Sequence, residues 1–190
     1  KTNPSIEVPM KFLRSILFLA LAVTTAHAQI GIYGRFDATR LSGTSNSFET
    51  LGWYEGGGGG VYYDFAHFGP IGLGADVRGN FLAGNQHKFK SVLGGVRLSV
   101  HPPVLPIRPY VQGSIGVGGA SHNGLGNSGT IYSNKFEYQV LGGLDYTLLP
   151  HIDWRVAEVG YGRISGISSG ASAPAVNLFT IGTGIVVRLP

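Results

Sequence analysis

One short segment has the letters of a catalytic serine motif. Gly166-Ile167-Ser168-Ser169-Gly170 matches the G-x-S-x-G pattern of serine hydrolases. In such enzymes the serine lies on a turn between a strand and a helix, and an acid and a histidine follow it along the chain. No Asp, Glu or His occurs after Ser168. We therefore interpret this segment as part of a loop and not as the nucleophile of a hydrolase.

Two further features resemble binding sites without completing one. Gly56 to Gly60 is a run of glycines, but the Gly-Lys-Ser/Thr of a phosphate-binding loop does not follow it. The histidines beyond the N-terminal region lack the regular spacing of metal ligands. They are His67, His87, His101, His122 and His151. The sequence has no cysteine, so disulfides and thiolate metal sites are excluded. We predict no catalytic residue, metal site or cofactor.

Single charges form a more consistent pattern, because they recur on one face of alternating segments. Asp76 and Arg78, for example, share the polar face of the segment from Ile71 to Phe81. Enclosed charges of this kind line an ion path, take part in catalysis or pair with one another. Pairing is expected, because an unpaired buried charge is costly and a narrow interior is filled by side chains. The predicted network comprises Arg35, Asp37, Asp64, Asp76, Arg78, Arg97, Glu137, Asp145 and Arg188.

The segments that position these charges have a period of two residues. Near the C-terminal end, Phe179, Ile181 and Ile185 alternate with Gly182 and Gly184. Such a strand faces two unlike surroundings. Only 13% of the residues are charged, yet no segment after the N-terminal region approaches the roughly 20 apolar residues of a membrane helix. The apolar residues are therefore distributed over strands.

Eight such strands are predicted between residues 29 and 189, with two kinds of connection in alternation. Long polar loops, at residues 42–50, 83–88, 121–134 and 165–174, follow every odd strand. Short turns that contain proline, at residues 66–70, 101–106 and 149–151, follow strands 2, 4 and 6. A meander places all long loops at one end, as in outer-membrane barrels. We predict an all-β fold, an eight-stranded antiparallel up-and-down transmembrane β-barrel.

Strand 7 is ambiguous, because its two central charges lie on opposite parities. Strict alternation from Ile152 to Ile164 cannot place both Arg155 and Glu158 inside a barrel. Either a β-bulge changes the phase of the strand, or Arg155 lies at the rim and extends its charged end into water. The sequence leaves both alternatives open.

The N-terminal region has the features of a secretory signal peptide. A basic start at Met10, a short apolar run and the small residues before Gln29 predict cleavage between Ala28 and Gln29. We assign residues 1–28 to an upstream extension and this signal peptide, and residues 29–190 to one barrel domain. Removing the leader lowers the formal charge from +4 to about +2. That charge is too small to indicate nucleic-acid binding.

Four repeated stretches mark a resemblance to a known family. Leu73–Arg78, Val92–Arg97 and Val140–Asp145 combine Gly and aliphatic residues with a charge, and Ile152–Arg155 combines an aromatic residue with charges. With the leader and the eight strands, they resemble the small outer-membrane β-barrel family, of the OmpA-like and OmpX-like kind. The resemblance implies a place in the bacterial outer membrane, with outer-membrane lipid and the barrel-assembly machinery as partners.

The leading functional hypothesis is a non-enzymatic outer-membrane barrel, with a role in envelope structure or in binding and adhesion through its four long loops. One alternative is an outer-membrane enzyme that acts on lipid or peptide. The polar residues available to it near the loop end are Glu49, His87, Ser121, His122, Ser168 and Ser169. Another alternative is a soluble periplasmic barrel of the lipocalin type, with its apolar face turned inward.

Overall fold

The computed structural model describes residues 29–43, 52–84, 87–122, 134–165 and 175–189. The predicted signal peptide lies outside these ranges, as do most of the predicted loops at residues 42–50, 121–134 and 165–174 and residues 85–86 of the loop predicted at 83–88. Within them, no helix has the length and apolar character needed to cross a bilayer.

Eight strands follow one another along the chain. They are β1 (Gln29–Ser42), β2 (Gly52–Phe68), β3 (Ile71–Ala83), β4 (His87–Val100), β5 (Ile107–His122), β6 (Lys135–Leu149), β7 (Ile152–Ile164) and β8 (Val176–Leu189). Each strand pairs antiparallel with the next, and β8 pairs with β1, so that the barrel is closed. The predicted eight-stranded antiparallel barrel is confirmed.

Side chains alternate between the two surfaces of the barrel wall. Along β3, Val77 and Phe81 are exposed on the outside, whereas Asp76 and Arg78 are buried on the inside. The outer surface carries large exposed apolar side chains on every strand. The lipocalin-like alternative is therefore wrong, because it requires the apolar face to point inward.

The connections follow in the predicted order, but several are shorter than predicted, and the β3–β4 connection is shorter than the turn between β4 and β5. Strand β2 continues to Phe68, so the predicted turn at residues 66–70 is reduced to Gly69 and Pro70. Gly69 has a φ of 61°, a left-handed conformation that glycine adopts without steric cost. The predicted loop at residues 83–88 is also too long, because β3 ends at Ala83 and β4 begins at His87. We call the end with residues 69–70, 101–106 and 150–151 the turn end, and the opposite end the loop end.

Strand β7 contains the bulge that one of the two alternatives required. Its register with β8 shifts between Arg155 and Glu158, and on the β6 side Arg155 pairs with Asp145 while Ala157 pairs with Leu144. Val156 is thus the extra residue of a β-bulge, which reverses the phase of the strand. As a result, both Arg155 and Glu158 are buried on the inside.

The glycine run of β2 makes room inside the barrel. A Cβ atom on Gly58 would lie 2.8 Å from Oδ1 of Asn80 and 2.9 Å from Oδ2 of Asp37. A Cβ atom on Gly60 would lie 2.7 Å from Cζ of Tyr33. Because such contacts are shorter than van der Waals distance, glycine at these positions lets long side chains of neighbouring strands cross the lumen.

Candidate functional site

The lumen is organised around one carboxylate, that of Glu158. It accepts hydrogen bonds from Arg78 at 2.8 Å and from Arg155 at 3.1 Å, and it also accepts from Arg35 and from the hydroxyl of Tyr110. All five side chains are buried. These residues come from β1, β3, β5 and β7, so the carboxylate links strands on all sides of the barrel.

Each of these arginines also has a second carboxylate partner. Arg35 is 3.2 Å from Asp37, Arg78 is 3.0 Å from Asp76, and Arg155 is 2.9 Å from Asp145. A fourth arginine, Arg97, donates to Asp145 at 3.0 Å. The central charge network consists of these eight residues: Arg35, Asp37, Asp76, Arg78, Arg97, Asp145, Arg155 and Glu158. It contains four cations and four anions, so its formal charge is zero.

Neutral side chains supply the remaining hydrogen bonds of the network. Tyr33 donates its hydroxyl to Asp76 at 2.8 Å, and Gln112 donates to the same carboxylate at 2.7 Å. The Gln112 amide oxygen in turn accepts from Arg78 at 2.9 Å. These donors compensate the buried Asp76 carboxylate for the loss of its water contacts.

The guanidinium groups of two arginines stack on the faces of tyrosine rings. The Arg97 guanidinium carbon lies 4.1 Å from the ring centre of Tyr62 and 3.9 Å from that of Tyr110. That of Arg155 lies 4.4 Å from the Tyr33 ring and 4.8 Å from the Tyr110 ring. Cation–π contacts of this kind strengthen when water is excluded. They also fill the space between arginines that would otherwise repel each other.

The loop end of the lumen is apolar. Inward-facing side chains form one buried cluster there: Leu41, Tyr54, Leu82, Phe89, Ala120, Ile164, Val176 and Leu178. Between this cluster and the central charge network, the hydroxyl groups of Thr39 and Thr180 are 2.9 Å apart, and Gln139 donates to Thr180 at 3.3 Å. The interior is thus closed by an apolar layer above a charged layer.

The turn end carries a second, smaller set of polar groups. Arg188 is 2.8 Å from Asp153 and donates to the backbone carbonyl of Pro150 at 3.1 Å. Beside them, the ring centres of His67 and His101 are 5.7 Å apart. Burial, with the positive charge of Arg108 as the next cause, lowers the pKa of His101 to about 4. Among the described residues, no group of three or more His, Asp or Glu side chains is arranged to hold a metal ion.

The nine charges that the sequence placed in the lumen all lie on the inside of the wall and are buried. Seven of them form ion pairs: Arg35, Asp37, Asp76, Arg78, Arg97, Asp145 and Arg188. Asp64 and Glu137 form no ion pair within the described part of the chain.

Three further luminal charges, Asp153, Arg155 and Glu158, are not part of the predicted network. Arg155 and Glu158 were left out of it because the phase of β7 was open, and the bulge changes the parity of the strand between them. A signal was available: a charge on the lipid side of a barrel is costly near the middle of the membrane, and only a bulge keeps both residues inside. Asp153 shares the parity of Arg155 and follows the same rule.

The residues proposed for an enzymatic site lie beyond what the structure describes. Glu49, Ser168 and Ser169 fall outside the described ranges, as do Ala28 and the rest of the predicted signal peptide. The side chains of the remaining candidates, His87, Ser121 and His122, are likewise not described. The structure therefore brings together the luminal charges, and it does not describe the side chains proposed for an enzymatic site at the loop end.

Comparison with known proteins gives matches in structure only. No protein-family profile and no curated protein matches the sequence. Neisserial surface protein A superposes with a TM-score of 0.51 at 16% identity, covering 85% of this chain and 97% of the other. Ail, the attachment invasion locus protein of Yersinia pestis, gives 0.54 at 14% identity, covering 86% and 100%.

A third solved structure is that of the outer membrane enzyme PagL. It superposes with a TM-score of 0.50 at 14% identity, covering 84% of this chain and 99% of the other. These three solved structures include an outer membrane enzyme and an attachment protein, and at identities this low the likeness shows the fold alone. The chain has the fold of the small eight-stranded outer-membrane β-barrels.

Proposed function

We propose that this protein is a non-enzymatic barrel of the bacterial outer membrane that acts through its loops and not as a pore. The observation that carries this proposal is the filled lumen, in which Glu158 joins three arginines across the barrel. An eight-stranded barrel is just wide enough for side chains to fill its interior. We therefore expect the neutral, cross-linked network in that space to block the passage of water and ions.

The outer surface supports a place in a membrane. Most exposed side chains in the middle of the strands are apolar, for example Val77, Val96, Ile115 and Val140. A closed barrel also satisfies every strand edge, which a bilayer requires because lipid offers no hydrogen bonds. On this proposal the chain is exported after cleavage between Ala28 and Gln29, and the barrel-assembly machinery inserts it among outer-membrane lipids.

The connections at the loop end, predicted at residues 42–50, 83–88, 121–134 and 165–174, would then face the cell exterior and form the binding surface. Ail, which shares the fold, has been solved in complex with the heparin analogue sucrose octasulfate, at a TM-score of 0.52 and 14% identity to this chain. We propose a comparable role for this chain, either in binding a surface ligand or in envelope structure. No described cluster of side chains supports the enzymatic alternative.

Planar-bilayer recording of the purified barrel tests the proposal. We expect no large, steady currents, because the central charge network and the apolar layer above it block the lumen. The same protein, run unboiled on a denaturing gel, should migrate differently from boiled protein, which verifies that a closed barrel was inserted. Sustained open-channel currents from correctly folded monomer would show that the lumen conducts, and the proposal would be wrong.

A further inference from the structure

Formal charges on the outer surface of the barrel are confined to one end. Five charged side chains of the described strand residues are exposed on the outward parity: Arg40, Glu55, Lys88, Lys90 and Arg163. All five lie within a few residues of the loop end of their strands. Arg108 and Lys135 are half-buried and share the parity of luminal residues. The outward charges thus comprise four cations and one carboxylate, at one rim only.

Two of these cations line an open groove. It lies across the loop ends of β2, β3 and β4, and its walls are Glu55, Gly56, Phe81, Leu82, Ala83, Lys88, Phe89 and Lys90. Strand register places Lys88 beside Ala83 and Lys90 beside Phe81. Lys88 and Lys90 are two residues apart on one strand, so both side chains leave the same face about 7 Å from each other. Two flexible ammonium groups at this spacing can converge on one anion.

The surroundings of the two lysines match a lipid better than a free anion. The Lys90 ammonium lies 5.9 Å from the ring centre of Phe81, which is exposed on the outer surface. Further toward the middle of the barrel, Val92 and Val96 continue the same face of β4, and Val77 flanks them on β3. A cationic site therefore lies directly above an exposed apolar track. The cationic site and the apolar track follow each other in the same order as the anionic headgroup and the acyl chain of a lipid.

We propose that this groove binds the phosphate of a lipid headgroup, with Lys88 and Lys90 as its ligands and Phe81, Val77 and Val92 in contact with the acyl chain. This inference rests on the proposed place in a membrane. Lysine near a headgroup layer is attracted to anionic lipid, and its long apolar stem packs on the wall below. The carboxylate of Glu55, which also lines the groove, repels phosphate, so its removal should strengthen binding if the proposal is right.

Binding is measured by native mass spectrometry of the detergent-solubilised barrel titrated with dioleoyl phosphatidate. Dioleoylglycerol, which has the same acyl chains and no phosphate, and inorganic phosphate serve as reference ligands. Each lysine near the headgroup contributes roughly fivefold to affinity. The double variant Lys88→Gln/Lys90→Gln should therefore bind phosphatidate about 30-fold more weakly. Glu55→Gln should bind it more tightly, because a repelling carboxylate is removed.

The matched control is Arg40→Gln/Arg163→Gln, which removes the same charge from the same rim outside the groove. We expect it to change phosphatidate affinity by no more than about twofold, since charges beyond the Debye length are screened at physiological salt. Equal weakening by both double variants would mean that the rim acts through its overall charge, and the groove proposal would be wrong. Tight binding of inorganic phosphate alone would also overturn it, since the site would then recognise a free anion.

The test separates this inference from the proposed function. If wild-type protein forms a heat-shifted barrel in membranes but binds phosphatidate no better than dioleoylglycerol, only the headgroup site is refuted. If the protein is recovered as a soluble species without detergent, the membrane proposal fails, and the groove proposal fails with it. Retained binding in Lys88→Arg/Lys90→Arg, which keeps both charges, would support the groove.

Discussion

Replacing Glu158 by glutamine tests whether the central charge network is a buried, paired structure. The change keeps the size of the side chain and one acceptor oxygen but removes the negative charge that Arg35, Arg78 and Arg155 share. The network then has four cations and three anions, all in positions with almost no exposed surface. We expect a less stable barrel with an unchanged fold.

The size of this effect follows from the partners that remain. Breaking a buried ion pair costs about 3–5 kcal/mol when the other charge is left without a partner. Here each arginine keeps a second carboxylate, in Asp37, Asp76 and Asp145, so we expect a loss near the lower limit, about 3 kcal/mol. With a urea dependence of about 2 kcal/mol per molar, the unfolding midpoint should fall by about 1.5 M.

The assay is urea unfolding of barrel refolded into lipid vesicles, followed by the fluorescence of Trp53 and Trp154. Val159→Leu is the matched control, because Val159 follows Glu158 on the same strand but is exposed on the outer surface. That variant should unfold close to the wild type. If Glu158→Gln also has the wild-type midpoint and a normal gel shift, luminal water must solvate the arginines as well as the carboxylate does. The reasoning from burial would then be refuted.

Two further predictions concern pH and topology. The pKa of His101 is lowered to about 4, from an unfolded value near 6.5, so unfolded chains bind a proton between these pH values that the folded protein does not. The free energy of unfolding should therefore decrease as pH falls from 6.5 to 4. Urea titrations at pH 7 and pH 4.5 should show a smaller decrease for His101→Gln than for the wild type. An equal decrease in both proteins would exclude His101 as the cause. Protease added to intact cells should cut within residues 121–134 and spare the turn at residues 101–106, as mass spectrometry of the fragments would show. Cleavage only at residues 101–106 would reverse the proposed orientation.

The fold was predictable from the sequence because the two sides of the wall face different surroundings. Successive residues of a strand point alternately outward and into the lumen, so the sequence of the strand has a period of two. Strand β3 has this pattern, with Asp76 and Arg78 inside and Val77 outside. Turns that contain proline and runs of polar residues then marked the ends of the strands in the sequence. A period of two assigns each residue to one side of the wall, and nine charges could therefore be placed in the lumen from the sequence.

The alternation of residues shows neither how far along the barrel axis a side chain lies nor which side chain it pairs with. It also assigns residues to the wrong side of the wall beyond a point where a bulge changes the phase of a strand. The apolar layer at the loop end includes Leu41, Leu82 and Phe89, which share the inner parity with the charges of their strands. The period of two cannot distinguish this apolar part of the lumen from the charged part. The central role of Glu158 depends on the bulge at Val156, a one-residue insertion that leaves no mark in composition. The positions of both charges, Arg155 and Glu158, indicated the bulge only once a cost was assigned to a charge facing lipid.

The distribution of charge connects the two proposals. Inside the barrel, cations and anions of the central network are equal in number and held at hydrogen-bond distance, so their fields cancel within a short range. Outside, the exposed charges of the described strand residues are four cations, Arg40, Lys88, Lys90 and Arg163, and one carboxylate, Glu55, so that one rim carries excess positive charge. A neutral interior holds strands together without attracting ions, whereas an unbalanced rim attracts anions from its surroundings. The two groups of charges are therefore separable by mutation: changes in the lumen should alter stability and leave lipid binding intact, and changes in the rim groove should do the reverse.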